Sequence, residues 1–137
     1  MSGTFCRRPS FLGDPSPSVG TPNTCFQLGA AADFLICHTG GIQDDLKQRI
    51  SPKAKTKNVK DRLDAMLSTA HRMEVLNPAL QDDLFKLSVK LIEAGKALTR
   101  GGKLTKKIPK AFIARMKVAN DNALAICKKA KRSCGGS

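Results

Sequence analysis

The sequence predicts an all-α chain, on three observations. Apolar residues from Val59 to Met73 recur at three- and four-residue steps. A second set, Leu80, Leu84, Leu87, Leu91, Ala94 and Leu98, alternates steps of four and three, and prolines at 78 and 109 stand where such helices must stop and restart. The first pattern gives one helical stripe, and the second is the heptad spacing at which one helix packs on another at a shallow angle. A proline suits a first helical turn because the N–H it lacks has no partner there, while the residue before it is steered out of helical backbone.

Taken in order, residues 1–24 collect Ser, Pro, Gly and Thr with few large apolar side chains. Such a segment cannot offset the entropy of ordering, and disorder is expected. Residues 25–38, "CFQLGAAADFLICH", are more apolar, but their period suits a short helix or a strand equally. "TGG" is expected to break that element, "IQDDLKQRI" to add a turn or two of helix, and "SPKAKTK" to be a basic linker. Residues 1–57 are therefore expected to be a flexible extension. The first clear helix starts from Asn58 as N-cap, with Val59, Leu63, Met66, Leu67, Ala70 and Met73 on its apolar stripe. Asn77 and Pro78 divide it from a second helix, expected to run to about Lys107 with a bend or frayed turn at Gly101 and Gly102. Pro109 opens a short third helix carrying Phe112, Ile113, Met116, Ala119, Ala123 and Ile126. The folded domain is then 58–127, and 128–137 a basic, flexible tail.

The formal net charge is +13, and its distribution matters more than its size. Up to Ile50 four basic residues are balanced by four acidic ones, and between Ala94 and Asn120 no acidic residue occurs. Lys86, Lys90 and Arg100 fall within about 40° of one helical line, roughly 120° from the leucine stripe. Lys96, Lys103, Lys106, Lys107 and Lys110 extend the same field. A face kept merely soluble mixes signs; a single-sign field draws in polyanions, nucleic acid before an anionic membrane. With no Trp or Tyr, and only Phe85 and Phe112 in the basic region, stacking platforms for unpaired bases are nearly absent. No zinc finger, RNP motif or KH loop is evident, so contact with phosphates and 2′-hydroxyls of a duplex is the expectation.

Other chemistries find little purchase. His38 and His71 have no positioned carboxylate partner apparent, and no enzyme is expected. The five cysteines contain no CxxC pair and are odd in number, so neither a disulfide framework nor a metal site is expected, Cys25, Cys37 and His38 matching no common zinc spacing. No cofactor is implied. No apolar run approaches the roughly 20 residues of a membrane span, and "MSGTFCRRPSFLGDPSPS" has none like a signal peptide's. A soluble intracellular protein without integral membrane association is the expectation.

The run from Asp61 to about Ala114 resembles the core of the nodavirus B-two protein family, viral suppressors of RNA silencing. The features are Asp61-Arg62-Leu63 near the start of the first helix, the Asn77-Pro78 turn, Asp83-Leu84 opening the second, and Thr99-Arg100 separated by eight residues from Pro109. Asp82 and Glu93 depart from the family, whose members can carry basic residues there.

The resemblance implies a helical hairpin that pairs with a second copy into an antiparallel homodimeric four-helix bundle, since a hairpin and a short third helix cannot enclose a core alone. Leu63, Leu67, Leu84, Leu87, Leu91 and Leu98 would form the core and dimer seam. Lys86, Lys90, Lys96, Thr99, Arg100, Lys103, Lys106, Lys107 and Lys110 would meet double-stranded RNA. The implied function is sequence-independent binding of long duplexes and small interfering RNA in the host cell cytoplasm, withholding them from dicing and so suppressing RNA silencing. The alternative from the residues alone is a basic helical packaging protein or chaperone without duplex-RNA selectivity.

Overall fold

The computed structural model describes residues 5–9 and 22–135. Four helices make it: α1 Pro22–Lys47, α2 Pro52–Leu76, α3 Gln81–Ala97 and α4 Lys110–Gly135, with a 3-10 turn at Pro78–Leu80 and a two-stranded hairpin, β1 Thr99–Arg100 and β2 Lys103–Leu104. The all-α class follows. Each helix packs on two others, α1 and α3 both lying between α2 and α4. Cross-contacts fix the directions. Arg62 reaches Asp45, Leu63 packs near Gly95, Arg115 reaches Glu93, and Cys127 reaches Ala32. The ring is therefore an up-down-up-down four-helix bundle closed within one chain.

That closure places the expected seam residues inside one chain. Leu63, Leu84, Leu87, Leu91 and Leu98 are buried, Leu67 partly so, in a core shared with Leu28, Leu35 and Ile42 of α1 and Phe112 and Met116 of α4. The leucine seam is covered by α2 and α4 of the same chain, so the physical reason for pairing two hairpins falls away.

Residues 22–57 are not a flexible extension. Leu28, Ala31, Ala32, Leu35 and Ile42 are buried at helical spacing, and Thr39 joins them by donating its hydroxyl to the Leu35 carbonyl at 2.9 Å. The Gly40-Gly41 pair does not break α1. A Cβ on Gly41 would collide with the guanidinium of Arg62, so the missing side chain is what leaves room for that group against α1. The basic "linker" is helical as well: Ser51 caps α2 by accepting from the Ala54 N–H at 3.1 Å, with Pro52 in the first turn, and Asn58 lies inside the helix. Of the disorder expected for 1–24, residues 1–4 and 10–21 lie outside the described residues.

Asn77 and Pro78 divide the helices as expected. The Asn77 carbonyl side chain accepts from Ala79 N–H at 3.1 Å and opens the 3-10 turn. Beyond Ala97 the expectation fails, since α3 stops ten residues before Lys107. Gly101 and Gly102 have φ of 61° and 80°, the two left-handed positions of a tight hairpin turn, and pair Thr99 with Leu104 and Arg100 with Lys103. The third helix is long, and the expected tail belongs to it up to Gly135. Ala130 is buried, Lys129 pairs with Asp83 at 2.8 Å and Lys131 with Asp33 at 2.5 Å.

The cysteines also differ from expectation. Cys6 and Cys37 form a disulfide that straps residues 5–9 to α1, and Cys25 is disulfide-bonded too. Cys127 is a buried free thiol whose pKa is pushed up to about 12 by burial. Among the described residues no helix is long and apolar enough to cross a membrane.

Candidate nucleic-acid interface

The hairpin turns the chain back toward the start of α2, and this brings two basic segments together. Lys53 and Lys57 on the first two turns of α2 face Lys103, Lys106 and Lys107 across an open groove of about 990 Å³, with Pro52, Ala54 and Leu104 between them. Thr105 holds the far wall, its N–H donating to the Leu98 carbonyl at 2.8 Å and its hydroxyl to the Lys107 carbonyl at 2.8 Å. On the near wall Lys55 turns away and donates to the Leu46 carbonyl at 3.1 Å, tying α2 to the end of α1.

No acidic side chain lines this groove. Lys57 pairs with Asp61 one turn on, at 2.7 Å between exposed groups, and that hydrogen bond raises its pKa. Among the described residues Lys53, Lys103, Lys106 and Lys107 enter no ion pair. Four ammonium groups without counter-charges, on a floor too shallow to bury them, can each donate to a phosphate oxygen while keeping their water on the other side.

The remaining expected contacts are dispersed. Lys86 and Lys96 are exposed on α3, Lys90 is half-buried, and Lys110 is exposed at the start of α4. Thr99 donates its hydroxyl to the Lys96 carbonyl at 3.2 Å, closing the helix end. Arg100 is exposed but sits in β1, so the helical line joining it to Lys86 and Lys90 does not exist. Lys53 and Lys57 were missed because "SPKAKTK" reads as a linker; the Ser-Pro before an even run of helix-compatible residues was the available signal. Phe112 is fully buried, leaving Phe85 as the exposed aromatic of the basic region.

The histidines sit elsewhere. His71 lies 3.9 Å from Glu74 on the surface of α2. His38 Nδ1 is 3.3 Å from an Arg62 nitrogen, and Arg62 Nε donates to the almost fully buried Asp45 at 2.6 Å. Among the described residues no cluster of His, Cys, Asp or Glu has the makings of a metal site. Comparison of the chain with family models, with curated proteins and with solved structures finds no match.

Proposed function

We propose that this protein binds double-stranded RNA by its phosphate backbone, without reading sequence, and so withholds the duplex from dicing nucleases in the host cell cytoplasm. The observation that carries this reading is the groove in which lysines from positions 53–57 and 103–107 converge with no carboxylate among its lining. Lysines offer point charges rather than the bidentate forks or amide side chains that read base edges, so such a surface recognises backbone. The likeness of residues 61–114 to the silencing suppressors narrows backbone binding to duplex RNA. A general packaging protein is the alternative outcome.

The test is a gel-shift series with double-stranded RNA, single-stranded RNA and double-stranded DNA of equal length, in wild type and in Lys106→Ala/Lys107→Ala. Duplex RNA is expected to bind tightest. The double variant is expected to weaken it about tenfold or more at low salt for every sequence, and to flatten the plot of log affinity against log salt by a slope of roughly 2. Equal affinity for all three nucleic acids favours packaging; an unchanged double variant removes the groove from the interface.

A further inference from the structure

The outer face of α3 carries a second heptad. Asp82, Phe85, Val89, Ile92 and Lys96 follow at steps of three, four, three and four, on the side of the helix away from the buried leucines. Phe85, Val89 and Ile92 are 63%, 40% and 43% exposed. At 100° per residue they share a stripe about 60° wide. A helix on the surface of a closed bundle has no reason to repeat apolar residues on its solvent side, and a row at this spacing is what a partner helix takes up. The exposed apolar residues of α4, Ile113, Val118 and Leu124, share no such register.

The charges around the stripe identify the partner. Asp82 and Lys96 stand seven residues either side of Val89. Phe85 and Ile92 stand four before and three after it, Lys86 and Glu93 three before and four after. An antiparallel copy of α3 related by a two-fold axis near Val89 would set Phe85 against Ile92, Lys86 beside Glu93 and Asp82 beside Lys96, each pair made twice. Among the described residues none of these four charged groups has an ion-pair partner within the chain. Lys86 and Glu93 occupy the same heptad position, the flank on which antiparallel helices place their complementary charges.

We propose that the outer face of α3, centred on Val89, is a two-fold interface between two copies of this chain. It uses none of the inward leucines and joins two complete bundles. It is independent of the RNA reading, but the two meet: Lys86 and Lys96 would be engaged in the pair, while the lysine grooves, beyond the C-terminal ends of two antiparallel helices, would lie at opposite ends of the assembly.

The test is sedimentation equilibrium of the full chain without nucleic acid, over a concentration series at low salt. A reversible dimer with a dissociation constant on the order of micromolar is expected for a small helix-face contact. Val89→Asp changes a half-exposed side chain, so the bundle stays folded by circular dichroism, and the constant is expected to rise at least about 100-fold. Lys86→Glu and Glu93→Lys are each expected to weaken pairing several-fold by setting like charges together, and Lys86→Glu/Glu93→Lys to restore it. A wild-type monomer at every concentration overturns the proposal. So does a dimer that Val89→Asp leaves intact, or a charge swap no tighter than its single parents.

Discussion

His38 shows how one side chain records its surroundings. Its pKa is lowered from an ordinary 6.5 to about 4, first by burial and then by the Arg62 guanidinium, with Asp45 opposing. Nδ1 lies against a donor, and among the described residues Nε2 finds no partner, so the folded site favours the neutral ring. The unfolded chain takes up the proton near pH 6.5 and the folded one only near pH 4. Between these values the unfolded state binds more protons, so stability is full above the window and falls as pH drops through it. Urea midpoints at pH 7 and pH 5 check this: wild type is expected to lose stability over that step, and His38→Gln to lose distinctly less. Equal losses would show that the imidazole does not titrate between the two states. None of this was legible in the sequence, because the ring is enclosed only when Arg62 and Asp45 meet across two helices.

At the scale of elements, what was legible depended on how large the buried side chains are. The faces of α2 and α3 announced themselves because Leu and Met recur at helical spacing on both, Leu63, Met66, Met73 and Leu76 on α2 and Leu84, Leu87 and Leu91 on α3; each such burial contributes about 1.5–3 kcal/mol. The inward face of α1 mixes Leu28, Phe34, Leu35 and Ile42 with the small Ala31, Ala32, Thr39 and Gly41, so its period stays ambiguous until partner helices supply the contact. Arg100 was misplaced for a related reason, since "RGGK" looks like a frayed helix although two consecutive glycines are also the signature of a tight hairpin. That turn carries the groove's far wall. Gly102→Ala, at φ 80°, is expected to cost about 1 kcal/mol. Gly101→Asn, which retains a residue tolerant of left-handed backbone, is expected to be nearly neutral. Thermal denaturation of the two variants decides it, and comparable losses would mean that the turn does not depend on its positive φ values.

The whole molecule turns on α1, the helix whose extent the sequence did not disclose. Residues beyond Lys57 hold the excess charge and the family likeness, which suggested that they fold and bind by themselves. The bundle argues otherwise. Removing residues 1–56 takes away Leu28, Ala31, Ala32, Leu35 and Ile42, uncovers the faces of α2 and α4 that packed on them, and deletes the Ser51 cap and Pro52 start of α2. It also removes Asp45, leaving Arg62 without its carboxylate at 2.6 Å, and removes Lys53 from the groove. A three-helix remnant exposing that much apolar surface has no closed core of its own, and its remaining ways to bury it are aggregation or pairing with a second remnant. The fragment 57–137 is therefore expected to show no cooperative thermal transition as a monomer, by circular dichroism together with light scattering over a range of concentrations. A cooperative melt at a monomer mass would place α1 outside the folding unit, and with it the single-chain bundle on which the groove and the α3 surface both depend.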